Sequence, residues 1–241
     1  MPFPSASRDI THCRELHSRF WHRQDHGSVI VHIERIPLLS PASNQNPYLA
    51  VSTHIDGDHP QVAAQAAVLA AGCASEEEVV KACFEFVRDA IQHSWDFKRD
   101  PVTCRASDVL IHGTGYCYAK SHLLAALLRC NGIPTGLCYQ RLSVGMEGPP
   151  FCLHGLNAVY LKNHGWYRID ARGNKPGVDA QFTPPLERLA FPVLAEQERD
   201  LPEIWAEPLP QVVHALLAYS SVREVAENLP DIELISARSL N

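Results

Sequence analysis

One stretch constrains this chain more than any other: Gly113-Thr114-Gly115-Tyr116-Cys117-Tyr118-Ala119-Lys120-Ser121-His122-Leu123-Leu124-Ala125-Ala126-Leu127-Leu128-Arg129, a glycine-punctuated loop running directly into an apolar helical pattern. The predicted helix ends at Asn131-Gly132, a left-handed C-terminal signal, and Pro134 blocks continuation. Cys117 stands where the loop becomes helix. A thiol in a first helical turn feels the positive end of the helix dipole and free backbone N–H groups, and both favour thiolate. The same amides can donate to an oxyanion forming on a substrate carbonyl. Glycines 113 and 115 allow a substrate close to the backbone. An inert cysteine buried at the end of a core helix fits this segment equally well, so the choice rests on residues further along the chain.

The totals narrow the function classes. With 241 residues, 46% hydrophobic and 20% charged, the chain can bury a sizeable core. A formal net charge of −6 supplies no basic patch, so nucleic acid is not an expected partner. The apolar runs 62–74 and 123–128 are too short or too interrupted to span a bilayer, and no membrane is expected. Eight cysteines include no C-x-x-C pair, and Met1 to Asp9 has neither a basic nor an apolar leader region. Reduced thiols in the cytoplasm are the expectation.

Residues 1–27 read as a solvated N-terminal extension, and 28–241 as a single domain. His12, Cys13, His17, His22 and His26 crowd the extension. Only His22 and His26 have the i, i+4 spacing, and no cysteine pair completes a tetrahedral set, so no metal and no cofactor is expected. Strands are predicted at Ser28–Ile36 and Tyr48–Ile55, and a helix over 61–72 with Pro60 at its start. Asp56-Gly57-Asp58 lacks the rest of a calcium loop and reads as a turn. Ser75-Glu76-Glu77-Glu78 is a capping-box pattern opening an amphipathic helix to about His93. A polar connector, Ser94 to Thr103, leads to a short helical turn at Ser107–Leu110. Thr135–Leu142 reads as a strand, and Leu153–Leu161 with Trp166–Asp170 as a hairpin around Lys162–Gly165. Prolines break the chain from 176 onward into short pieces, with helices at Gln211–Tyr219 and Ser221–Asn228.

A cysteine nucleophile works best beside an imidazole, itself held by a carboxylate or amide. Of 13 histidines, His154 stands out: it opens one arm of the hairpin, and Asp170 closes the other. Antiparallel pairing converts their separation of 16 residues into a short distance. Parity decides the outcome, because an even loop would send the two to opposite faces, whereas an odd loop or a bulge at Gly165 puts them on one. His112 and His122 read as structural or surface residues, Cys130, Cys138 and Cys152 as buried thiols, and Trp166 and Tyr167 as sheet packing.

In this order of parts the chain resembles the transglutaminase-like superfamily, through Gly113-Thr114-Gly115-Tyr116-Cys117 and Leu123–Leu128, Asn131-Gly132-Ile133-Pro134, His154-Gly155-Leu156-Asn157-Ala158-Val159 and Gly165-Trp166-Tyr167-Arg168-Ile169-Asp170. The resemblance covers about 75–180 and leaves a helical C-terminal segment at about 185–241. It implies an α+β fold, a transglutaminase-like or papain-like core with the nucleophile helix packed on an antiparallel β-sheet. It further implies Cys117 as nucleophile, His154 as general base and acid, and Asp170 as the orienting group of a thiol-dependent hydrolase or acyltransferase acting on amide bonds through an acyl-enzyme. Peptides, proteins or small amides would be the substrates. No run of calcium-site carboxylates is present, so calcium dependence does not carry over. Trp95, His93 and the Cys117 amide are the candidate oxyanion donors. The alternatives are acyl transfer in the manner of the arylamine N-acetyltransferases, and a catalytically inactive binding module.

Overall fold

The computed structural model describes residues 46–145 and 148–232. The histidine-rich stretch 12–26 and the predicted strand 28–36 lie outside them. Numbered in chain order, the helices are α1 (Pro60–Ala70), α2 (Glu76–Ala90), α3 (Ser94–Phe97), α4 (Ala106–His112), α5 (Cys117–Cys130), α6 (Pro210–Leu217) and α7 (Val222–Glu227). Strands β1 (Gln92–His93) and β2 (Thr114–Gly115) make a short parallel pair. Strands β3 (Thr135–Ser143), β4 (Phe151–Leu161), β5 (Gly165–Ile169) and β6 (Arg199–Asp200) form an antiparallel sheet in the order β5-β4-β3-β6.

Helix α5 is the centre of this α+β arrangement because every residue from Cys117 to Arg129 is buried. A helix without a solvent face must be covered on all sides. Strands β3 and β4 pack on one side, and α1, α2 and α4 on others. Burying Leu123, Leu124, Leu127 and Leu128 completely stabilises the fold by about 1.5–3 kcal/mol each. The two cationic side chains of the helix are satisfied by carbonyls. Arg129 donates to the carbonyls of Thr135, Ala50 and Ala206, and Lys120 Nζ to those of Ile91 and Arg88. Lys120 thereby ties the end of α2 and the start of β1 to the helix that carries Cys117.

The helix ends follow local chemistry. Ser75 Oγ accepts from Glu78 N at 3.2 Å, and the Glu78 carboxylate reaches Ala74 N at 2.7 Å. Pro60 occupies the first turn of α1, with His59 Nδ1 as the cap acceptor. Asp56 accepts from both the backbone and the hydroxyl of Ser107, so the acidic turn caps α4 across space.

Two segments differ from expectation. Tyr48–Ile55 is a 3-10 turn (Asn46–Leu49) followed by irregular chain. The open side of β3 is taken by β6 and by the Leu137–Trp205 bridge, so the segment has no ladder to join. Its apolar residues are instead spent on burial: Ile55 enters the core, and Tyr48 packs edge-on against Trp166. The polar connector contains α3, a single turn fastened by a hydrogen bond between Ser94 Oγ and Thr114 Oγ1 at 3.1 Å.

The hairpin has the odd loop. Leu161 pairs with Gly165, leaving three residues between them, and Gly165 has φ +72°, where glycine is favoured. The register runs to Asn157↔Ile169. Extended by one residue it sets Asp170 opposite Leu156, two residues from His154 and therefore on the same face.

Candidate active site

Cys117 is the first residue of α5, 8% exposed, behind an extended N-cap at Tyr116. Strand β4 crosses this helix end so closely that any side chain at Gly155 would crowd it. A Cβ on Gly155 would lie 3.0 Å from Tyr118 Cδ1 and 3.1 Å from Tyr118 Cα. That approach brings Gly155 N to 3.5 Å from Cys117 Sγ, to which it donates. A Gly155→Ala chain is therefore expected to lose about 1–3 kcal/mol of stability, since the helix and strand must separate. Urea denaturation measures the loss, and an unchanged midpoint would show that the contact is slack.

His154 precedes that glycine and is 4% exposed. Its Nε2 lies 2.8 Å from Asp170 Oδ2, and Cys117 is its other side-chain hydrogen-bond partner. With Nε2 occupied, Nδ1 is the nitrogen left to face the thiol. Phe191 meets the imidazole edge-on, with centroids 5.0 Å apart. Asp170 follows β5, is 1% exposed, and accepts from Arg172 N at 3.1 Å and Ala190 N at 3.0 Å. Burial by itself would raise its pKa, but the His154 charge and these donors hold it below the usual carboxylate value. Burial would likewise depress His154, yet the negative charges of Asp170 and Cys117 outweigh it and push the imidazole up to about 10. The arrangement sets the His154 imidazolium between the Asp170 carboxylate and the Cys117 side chain.

Other thiols have a different setting. Burial pushes Cys83, Cys104 and Cys138 up to about 12, keeping them protonated and inert at neutral pH. Cys130 departs from expectation: it is exposed at the end of α5, its thiol donating to Gly57 O at 3.1 Å. Cys152 is half-buried in the cleft wall. His122 is fully buried, bonded through Nδ1 to Cys104 O at 2.7 Å and pushed down to about 4 by burial. It is a structural residue, not a surface one.

The site opens into a cleft of about 370 Å³. Both side-chain candidates for oxyanion donor, His93 and Trp95, line it. His93 follows from the β1–β2 pairing, which sets it opposite Gly115. Burial first, then the nearby Arg172 and Lys120 charges, hold its pKa well below the usual histidine value. It is thus a neutral imidazole at pH 7, able to donate a proton in a hydrogen bond. Its Nδ1 makes no hydrogen bond and lies 3.5 Å from Asp96 Oδ2.

The sequence reading missed Arg172, Ala190 and Phe191, which hold Asp170 and His154 in place. Arg172, two residues past Asp170, was open to the reasoning applied to the triad. Ala190 and Phe191 lie in the proline-broken segment, where no periodicity marks them.

Residues 63–171 match the model of the transglutaminase-like superfamily. No curated protein matches the sequence. Among solved structures, a candidate cysteine protease from Cytophaga hutchinsonii is 20% identical over 52% of this chain and 41% of its own, with a TM-score of 0.42. The periplasmic domain of TgpA from Pseudomonas aeruginosa is 19% identical over 54% of this chain and 48% of its own, also at 0.42. The matched part thus spans less than half the length of either. A cysteine opening a buried helix, a histidine on β4 and an aspartate just past β5 all lie within residues 63–171, the part of the chain that matches the transglutaminase-like superfamily.

Proposed function

We propose that this protein is a thiol enzyme acting on amide bonds, with Cys117 as nucleophile, His154 as general acid and base, and Asp170 as the residue that orients His154. The observation that carries the reading is the buried imidazole of His154, held by Asp170 at 2.8 Å with the Cys117 thiol as its second partner. Sγ attacks the carbonyl carbon, forming a C–S bond and placing negative charge on oxygen at the start of α5, where the Cys117 amide is a donor. Collapse breaks the C–N bond, and the His154 imidazolium gives its proton to the departing amine. In hydrolysis His154 then takes a proton from water, the resulting hydroxide attacks the thioester, and the thiolate leaves. An amine entering in place of water gives acyl transfer.

Iodoacetamide tests the nucleophile. At neutral pH, mass spectrometry is expected to find Cys117 carboxamidomethylated at least about tenfold faster than the exposed Cys130. Equal labelling of the two would remove the activated thiol and the mechanism built on it.

A further inference from the structure

We infer that the preferred substrate carries a free carboxylate close to its scissile amide, a step that rests on the thiol-enzyme reading above. The chain as a whole is acidic, at −6, yet Lys98, Arg172 and Lys175 line the cleft against one carboxylate, Asp96. Three positive charges meet one negative charge on that rim. His93, also there, is neutral at pH 7 because its pKa is depressed.

Asp96 is engaged by two of the three cations. Arg172 Nη1 lies 2.6 Å from its Oδ2, Arg172 Nη2 donates to Oδ1 at 3.1 Å, and Lys175 Nζ donates to Oδ1 at 2.6 Å. Lys98 Nζ sits over the Trp95 ring, 2.9 Å from its centroid, and among the described residues it makes no ion pair. Lys98 is also the one non-glycine residue among those described with a positive φ, +51°, at the C-terminus of α3. A left-handed lysine is a strained choice that persists where the surroundings over-determine it, and such residues cluster at ligand sites.

Leu142, Val144, Leu153 and Leu229 give the same cleft an apolar wall. Beside such a wall water screens poorly, so a cationic rim attracts an anionic group more strongly than an open surface does. A carboxylate bound between Lys98 and Lys175 would neutralise the excess, with its apolar neighbour against the leucines and valine of the same cleft. An acidic side chain or the free end of a peptide could supply it.

The test compares iodoacetate with iodoacetamide as alkylators of Cys117 in the full chain, and in Lys98→Gln, Lys175→Gln and the double variant. The His154 imidazolium attracts the anionic reagent in all four proteins, so the change among them reports the rim. The iodoacetate-to-iodoacetamide rate ratio is expected to fall by about tenfold in the double variant, and added salt should lower it in the parent chain. A ratio in the double variant within about twofold of the parent would overturn the inference while leaving the reactive thiol intact. Failure of both reagents to modify Cys117 would defeat the thiol reading, and the substrate class with it. Capped quenched peptides with Glu or Gln beside the cleaved bond, and peptides ending in a free carboxylate or an amide, separate the two sources. Preference for Glu assigns a side chain, preference for the free end assigns a terminus, and preference for neither overturns the proposal.

Discussion

Replacing Cys117 with alanine is expected to lower turnover of an amide substrate by about 10⁴-fold or more, because removal of a nucleophile abolishes the covalent route and leaves binding and backbone donors alone. The fold should survive. Cys117 contributes little volume, and its sulfur contacts the Gly155 amide at 3.5 Å, a long bond; a cost of about 1 kcal/mol is expected, as for an ordinary point change. Rate assays and thermal unfolding of the same preparation check both halves. Residual activity near the parent level would mean that another group performs the chemistry.

Asp170 should show the second large effect, and its two substitutions separate orientation from structure. Asp170→Asn keeps the shape but turns one acceptor into a donor among three donors, from His154, Arg172 and Ala190. A fall in kcat of about 10³–10⁴-fold is expected, since the imidazole loses both its orientation and its charge partner. Asp170→Ala also leaves the buried imidazolium unpaired, at a cost of about 3–5 kcal/mol.

The pH dependence of the parent follows in sign. His154 is raised from 6.5 to about 10, so its contribution to stability is complete below pH 6.5 and lost as pH rises through about 10. Asp170 is lowered from 3.8, so its contribution is complete above pH 3.8 and lost as pH falls through its folded value. In Asp170→Asn both dependences should flatten, and the His154 ring resonances should titrate at lower pH than in the parent. NMR titration decides this, and an unshifted His154 would show that Asp170 does not hold its charge.

The candidate site was legible where its determinants are local. A helix start is written in adjacent residues: a glycine loop, the cysteine and the apolar repeat after it specified where α5 begins, and Asn131-Gly132 with Pro134 where it ends. The hairpin was similarly local, since three loop residues and a left-handed Gly165 set its register, and a period of two then put His154 and Asp170 on one face. Sequence order therefore singled out the three residues that the fold brings together.

The tertiary structure alone decided what surrounds them. Tyr48–Ile55 has the composition of a strand, yet no free sheet edge receives it, because strand pairing depends on a distant partner. The Ala190 amide that holds Asp170 and the Phe191 ring that packs on His154 come from a segment without periodicity, placed by contacts across the fold. The cationic rim joins Lys98 from the end of α3 to Arg172 and Lys175 beyond β5. Asp96 and the two cations that bind it, more than 70 positions further on, carry no mark in the sequence that they will pair, because their meeting is fixed by the packing of distant segments and not by any local preference.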